Sequence, residues 1–373
     1  MNIALVANST WNIYNFRQNV INKLLDEGHD VTVIAPIDEY LDYKDKYPKI
    51  KHYGLRTLGR DSTNPFRDFL LILELIRRYS QVKPDLIIHY TNKPNIYGAI
   101  AARIKKINSV AIVTGLGYPF IHKGFIQNIT SLLYKWTAKF HKKVIFENIA
   151  DRELFEERNI IKKGKGISIK GCGVDIDFYQ PDQSNISLRD DSVIFTFIGR
   201  LLYDKGITEF VEAAKIIKKD NPNIKFWVVG DLDPGNPAAI NKYQLADWVN
   251  NDYIEYHGFH RDVRSYISKS DCIVLPSYRE AIPRTITEGM AMGKPVISTD
   301  VAGCREAVDV NQNGYLVQVK NSNSLVEGMN KFLSLSTEEK ISMGKKGRDK
   351  ALEEFDDRKI ANHIYQIISN LDS

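Results

Sequence analysis

The constraint that most narrows the fold is an alternation that runs twice along the chain. NIALVA, DVTVIAP, DLIIHY, SVAIVT and KVIFEN are short, apolar and rich in β-branched residues. Between them lie helical patterns at 14–27, 66–82, 96–106 and 124–140. The series then restarts with VIFTFIG, IKFWVVG, YIEYHG, CIVLPS, KPVIST and GYLVQV, separated by helical patterns at 207–219, 238–249, 263–269, 285–292 and 324–333. Near-continuous apolar strands alternating with helices predict parallel sheets covered on both faces. Two such series predict an α/β protein of two doubly wound, Rossmann-like domains facing each other across a cleft. The 373 residues suit two domains better than one core. The break is expected in GCGVDIDFYQPDQSNISLRDD, where glycines and a proline precede a polar run. This divides the chain into 1–180, 181–355 and a terminal helix, 356–373.

Composition excludes several classes. Apolar residues at 43% and charged ones at 26% are ordinary for a soluble globular protein. The N-terminus is not read as a secretory leader, and no run approaches the roughly 20 apolar residues of a membrane span. The three cysteines, Cys172, Cys272 and Cys304, have neither zinc-ligand nor disulfide-framework spacing and fit a reducing cytosol. The net charge of +5 is unevenly spread. From Leu86 to Phe146 there is no Asp or Glu, while FIHKGFIQNITSLLYKWTAKFHKK interleaves aromatics, leucines and lysines. That mixture suits an anionic partner with an apolar body, so an anionic membrane surface is expected to meet Lys123, Lys135, Lys139, Lys142 and Lys143. Nucleic acid is not expected as a partner.

Chemistry concentrates in the second series, because ligands of doubly wound sheets bind beyond the carboxyl ends of the strands. In CIVLPSYREAIPRTITEGMAMGKPV, Glu280 precedes a helix whose first turn is expected to hold Pro283, and Glu288 lies inside it. The helix start suits an anion. Two carboxylates make poor phosphate ligands but good acceptors for neighbouring hydroxyls. A nucleotide sugar, with a diphosphate and two polyhydroxylated rings, accounts for both features. In VIFTFIGRLLYDKGI, Arg200 follows a strand and Lys205 opens the next helix, a fork and a point charge suited to a diphosphate.

With these motifs in order, the chain resembles the retaining GT-B glycosyltransferases of family 4, over nearly its whole length and most strongly from Val193 to Val319. FIGRLLYDKG, VVGDLDPG, YHGFHRDV, IVLPSYREAIPRTITEGMAMGKPVISTDVAGCREAV and NGYLV carry the resemblance. TGLGYPF and YREAIPR with STDVAGCRE resemble the bacterial capsule and surface-polysaccharide branch, which extends sugars on undecaprenyl diphosphate. The resemblance implies that Arg200 and Lys205 hold the donor diphosphate and that Glu288 accepts ribose hydroxyls. Glu280 would hold the donor sugar, with Ala281, Pro283, Arg284 and Thr285 beside it, and Gly258, Phe259 and Arg261 would border the base. Arg200, Lys205 and Glu280 would be the catalytic set.

The NSTWNIYNF loop, with Asn12, Tyr14 and Arg17, would approach the acceptor together with His89, Thr114 and Gly115. Three departures stand out: Ala281 where many relatives have glycine, a first loop without glycine, and TGLG where some relatives have histidine. No general base is assigned, and a structural role competes for His89.

The activity so implied is transfer of a sugar, an N-acetylated hexosamine or deoxyhexosamine, from a UDP-sugar to a polyprenyl-diphosphate-linked saccharide, with retention and without a metal cofactor. The location implied is cytoplasmic, peripheral to the inner face of the cell membrane. Asp231-Leu232-Asp233 and Asp175-Ile176-Asp177 keep a metal-dependent transferase in view. A sugar-nucleotide epimerase on a GT-B-like fold is the nearer rival. A glycoside hydrolase would leave the anion site unexplained. A solute-binding protein would need a leader, and a dinucleotide oxidoreductase would need GxGxxG after the first strand.

Overall fold

The computed structural model describes residues 1–59, 64–117, 120, 124–181 and 192–371. The chain forms two compact units, Met1–Gly173 with Asp357–Ser373, and Val174–Asp356.

In the first unit, β1 (Asn2–Val6), β2 (Asp30–Ala35), β3 (Lys51–Gly54), β4 (Leu86–Tyr90), β5 (Asn108–Val113), β6 (Lys143–Phe146) and β7 (Gly166–Ser168) form one parallel sheet, ordered β3-β2-β1-β4-β5-β6-β7. Its helices are α1 (Thr10–Phe16), α2 (Gln18–Asp26), α3 (Tyr43–Lys46), α4 (Pro65–Val82), α5 (Ala99–Lys105), α6 (Phe125–Thr137) and α7 (Ile149–Glu157). A π-turn, Pro94–Gly98, leads into α5. The central strand β4 is buried along its whole length, which explains its unbroken apolar run. The edge strands β3 and β7 are only half covered and carry few apolar residues, so they leave no period in the sequence.

In the second unit, β8 (Ile194–Ile198), β9 (Lys225–Val229), β10 (Glu255–Tyr256), β11 (Cys272–Leu275), β12 (Val296–Thr299) and β13 (Gly314–Val317) form a parallel sheet ordered β10-β9-β8-β11-β12-β13. Around it lie α8 (Ile207–Asp220), α9 (Lys242–Asn250), α10 (Arg264–Lys269), α11 (Arg284–Ala291), α12 (Ala302–Ala307), α13 (Ser322–Leu333) and α14 (Thr337–Glu354). Helix α9 starts at Lys242, not Ala238, because Asn241 and Gln244 close a capping box there. The polar α14 left no clear pattern because it packs through small residues, Gly344, Gly347 and Ala351.

The final helix, α15 (Asp357–Ser369), belongs to the first unit. Ile360, Ala361, Ile364 and Ile368 share a core with Val20, Ile21 and Leu24 of α2. The boundary falls at Gly173, earlier than the expected 180, and on the return at Asp356. Val174, Ile176 and Tyr179 sink into the core of the second unit. The Arg348 guanidinium donates to the Ile176 and Tyr179 carbonyls, and Val174 N–H bonds the Phe355 carbonyl. The expected boundary falls too late because three apolar side chains ahead of the polar run are anchored in the second unit. Much of that run, 182–191, lies outside the described residues.

Strand order reverses at β1/β4 in one sheet and at β8/β11 in the other. Ligands of such sheets sit at these switch points, outside the carboxyl ends of the strands.

Candidate active site

The switch point of the second sheet gathers the loops that hold most of the expected donor residues. After β8 the chain passes Arg200 and makes a 3-10 turn, Tyr203–Lys205, that ends on Gly206 at φ +75°. A Cβ at Gly206 would collide with the Pro276 carbonyl, so glycine allows the Lys205 turn to lie against the start of the loop after β11. The Asp204 carbonyl accepts from Tyr278 N–H at 2.9 Å and from the Ser277 hydroxyl at 3.0 Å, which joins the two loops. Thr285, in the first turn of α11, donates to the Ile198 carbonyl at the end of β8 (3.2 Å).

This arrangement brings Lys205 onto Glu280. Lys205 Nζ lies 2.5 Å from Glu280 Oε1, with the lysine 26% and the carboxylate 12% exposed. Arg200 is more open, 52% exposed, and pairs with Asp233 at 2.7 Å. The second carboxylate of the Asp-Leu-Asp run thus holds a cation of the site, while Asp231 accepts from Leu232 N–H. The Asp175 carboxylate accepts from the Asp177 and Phe178 N–H groups and closes a turn. Among the described residues, no group of three or more His, Cys, Asp or Glu side chains could hold a metal ion.

Glu288 lies inside α11 at 7% exposure. Arg284, one turn earlier, is 2.7 Å away, and the Tyr179 hydroxyl donates to the carboxylate. Burial pushes the Glu288 carboxyl above the ordinary range, while Arg284 and these hydrogen bonds pull against it. Burial, and then the Glu288 charge, raise Tyr179 in turn. Tyr179 was missing from the expected set because its contact comes from the misplaced boundary segment.

Pro283 is the N-cap of α11 and not its first helical residue, since its ψ of 120° is extended. It offers no side-chain cap, so the first N–H groups of the helix are not covered from that position. The Glu280-Ala281 loop also depends on Gly303, in α12, whose Cβ would fall on the Ala281 carbonyl. No reading of the sequence singled out Gly303, because the contact joins two distant loops. Gly258, Phe259 and Arg261 form an exposed loop after β10, with Phe259 52% exposed and open space beside Gly258.

The first unit corrects several expectations. NSTWNIYNF is not a loop: Ser9 caps α1 by accepting from Asn12 N–H, and Asn12 and Ile13 are buried. Arg17 is 2% exposed, pairs with Glu147 at 3.1 Å, donates to Asn12 Oδ1 at 3.1 Å and stacks over Tyr90. Asn12 and Arg17 are therefore internal struts and not exposed acceptor ligands. Tyr14 is half-buried against Tyr40, and Thr114 and Gly115 are half-buried after β5. His89 is fully buried, with Nε2 2.8 Å from the Tyr79 hydroxyl and its ring 5.4 Å from His141. It is a core residue because β4 is covered on both faces.

Burial lowers the pKa of both histidines, and that of His141 down to about 4. A histidine depressed from 6.5 contributes stability above pH 6.5 that is lost as pH falls toward its folded value. His141 alone is expected to cost about 2 kcal/mol between pH 8 and pH 5. Urea unfolding at the two pH values measures this, and His141→Gln should reduce the difference, with the part due to His89 remaining.

Among the expected membrane-facing lysines, Lys135, Lys139 and Lys142 are exposed on or just after α6. Lys143 belongs to β6, and its ammonium reaches the Gly164 carbonyl at 3.5 Å, while Lys123 lies outside the described residues. Ile126, Ile129, Leu132 and Trp136 turn outward on α6, and so do Phe66, Phe69 and Leu73 on α4. The α4 row was hidden because FLLILELI is apolar on both its inner and outer sides. No helix of the described residues is long and apolar enough to cross a membrane.

Known proteins converge on this architecture. The family described as Glycosyl transferases group 1 matches residues 180–350, and Glycosyl transferase 4-like matches residues 2–148. The Campylobacter jejuni N,N'-diacetylbacillosaminyl-diphospho-undecaprenol alpha-1,3-N-acetylgalactosaminyltransferase is 30% identical over 98% of both chains. An Escherichia coli UDP-Gal:alpha-D-GlcNAc-diphosphoundecaprenol alpha-1,3-galactosyltransferase is 27% identical over 82% of this chain and 80% of its own. A glycosyltransferase from Rickettsia africae superposes with a TM-score of 0.79 at 20% identity, over 100% of this chain and 99% of that one. Anabaena HepE in complex with UDP superposes equally well, 0.79 at 20% identity over 99% and 100%. No epimerase stands among these relatives. With two doubly wound units, matches in both halves and a full-length relative, the chain belongs to the group 1 glycosyltransferases and has the GT-B fold.

Proposed function

We propose that this glycosyltransferase moves a sugar, an N-acetylated hexosamine or deoxyhexosamine, from a UDP-sugar to a saccharide on polyprenyl diphosphate, in the assembly of a capsule or surface polysaccharide. The observation that carries the donor half is the join between the loops after β8 and β11, which holds Lys205 against Glu280, with Arg200 on the same loop after β8. Lys205 and Arg200 take the diphosphate, Glu280 the sugar hydroxyls and Glu288 the ribose hydroxyls, with the Gly258–Phe259–Arg261 loop beside the base. Acceptor chemistry rests on the relatives, two of which are named for diphospho-undecaprenol sugars.

In the retaining step the bond from the anomeric carbon to the phosphate oxygen breaks, and the acceptor oxygen bonds that carbon on the same face. The acceptor proton passes to the departing phosphate. Fixed cations at that phosphate supply the stabilisation, so no metal cofactor is needed for it. A thermal-shift panel of UDP, GDP, ADP and UDP-sugars tests the donor site. At about 100 times its Kd, a UDP species should add roughly 2.7 kcal/mol to the wild type and far less to Glu288→Ala. A GDP preference would overturn the UDP assignment, and no shift at all would overturn the donor site.

The enzyme works peripherally on the anionic inner face of the membrane, through α6 in the first unit. A helix whose isoleucines, leucine and tryptophan face outward beside Lys135 and Lys139 suits a bilayer interface better than water. Leu132→Asp with Trp136→Asp should abolish most sedimentation with phosphatidylglycerol vesicles and leave the UDP shift intact. Unchanged sedimentation would remove the membrane role.

A further inference from the structure

The segment that opens the second unit, 174–179, is fastened to the helix that carries Glu288. Asp175 closes it into a turn. Its carboxylate accepts from the Asp177 and Phe178 N–H groups, and its carbonyl accepts from Tyr179 N–H at 2.8 Å. Arg348 of α14 then ties the turn to α11. One of its guanidinium nitrogens donates to the Tyr179 carbonyl at 2.9 Å and to the carbonyl of Ala291, the last residue of α11, at 2.7 Å. Phe178 has the Arg264 guanidinium 3.6 Å from its ring centre, and Arg264 also grips Asp262 at 2.6 Å, one residue beyond Arg261 of the loop expected beside the base.

This anchoring sets the Tyr179 ring in the core of the second unit and its hydroxyl on Glu288. Phenylalanine would fill the same core space. A buried hydroxyl needs a partner, and here the partner is the carboxylate expected to meet the ribose. A carboxylate has about four acceptor positions. Arg284, 2.7 Å away, and the Tyr179 hydroxyl take up one side of that capacity, and the remainder suits a neighbouring pair of hydroxyls.

We propose that Tyr179 is a positioning residue of the donor site, whose hydroxyl aims the buried Glu288 carboxylate at the 2′- and 3′-hydroxyls of the ribose. The assignment rests on the donor reading above and adds to it a residue from the segment by which the chain enters the second unit.

The charged and titratable groups set around Glu288 are Arg284 on its own helix, Tyr179 from the opening segment, the Asp262–Arg264 pair after β10, and Arg348 from α14. Burial raises the Glu288 carboxyl, the Arg284 charge and then the Tyr179 hydrogen bond lower it, and the Asp262 charge raises it. Without the Tyr179 hydroxyl, Glu288 takes up its proton at a higher pH than in the wild type. A protonated carboxyl has lost acceptor capacity, so ribose binding then fails earlier as pH falls.

Isothermal titration calorimetry with UDP at pH 8 and pH 5.5 tests this in the intact protein. Relative to the wild type, Tyr179→Phe should bind UDP about three-fold more weakly at pH 8 and about ten-fold or more weakly at pH 5.5, the size of effect expected for a hydrogen bond to a charged group. Comparison with the wild type at each pH cancels the titration of the nucleotide itself. In a Glu288→Gln background, which has no carboxylate to hold, Tyr179→Phe should change the affinity by less than about two-fold at either pH. An equal loss at both pH values marks a merely structural tyrosine and overturns the proposal. No loss at either pH overturns it too, and so does an undiminished loss in the Glu288→Gln background. A wild type that does not bind UDP is a failure of the donor reading, which separates the two.

Discussion

Lys205→Ala is expected to lower kcat by about 10²–10³-fold, the usual cost of removing one fixed group that stabilises charge developing in a transition state. Two effects combine. The departing diphosphate loses a point charge proposed to meet its oxygens. Glu280, only 12% exposed, also loses the ammonium 2.5 Å away and is left as a partly buried anion beside an incoming anionic donor. Lys205→Arg should recover only part of the rate, since a planar fork does not reproduce a compact ammonium packed against one carboxylate oxygen. Initial-rate kinetics with a UDP-sugar and a lipid-linked acceptor measure the effect. A kcat within about three-fold of wild type would show that Lys205 is a structural partner of Glu280 and no more. Arg200→Ala is a useful comparison, because Arg200 is half exposed and already held by Asp233.

Gly303→Ala is expected to disable the donor site without replacing any residue expected to meet the donor. A methyl there would fall on the Ala281 carbonyl, a backbone atom that cannot step aside as the end of a flexible side chain can. Either α12 or the Glu280-Ala281 loop must move. Overpacking of this kind typically costs 1–3 kcal/mol, which in a unit the size of 174–356 is a Tm loss of roughly 2–12 °C. The same displacement moves Glu280 away from Lys205, so the UDP-sugar shift should weaken about ten-fold or more in affinity. Gly59→Ala is the control, since a Cβ there meets nothing within 4 Å, and it should stay within about 0.5 kcal/mol of wild type. A Gly303→Ala protein with wild-type Tm and donor affinity would show that the loop has slack.

Much of this site could be read before any coordinates, because its members lie in continuous motifs at the ends of apolar strands. Arg200 and Lys205 follow β8, Glu280 follows β11, and the strand order makes those two strands neighbours. Glu288 was legible as a helical carboxylate but not as one enclosed by Arg284 and Tyr179. Tyr179 comes from a segment whose membership was decided by three apolar contacts. In the first unit, polarity in a loop-like string misled. Asn12 in α1, Arg17 just after it and His89 near the end of β4 are polar residues in segments that read as exposed, yet each has an internal partner that makes burial tolerable.

What the sequence by itself determined is the periodicity: two series of strands and helices, hence two parallel sheets, and the motifs at their ends. The tertiary structure alone decided which polar side chains face solvent and which face one another. Strand propensity and apolar period are local properties, repeated every few residues and recoverable by inspection. The partner of a charge is not local: Arg17 meets Glu147, Lys205 meets Glu280, and Gly303 lies under Ala281, each across loops that only the packed sheets bring within reach.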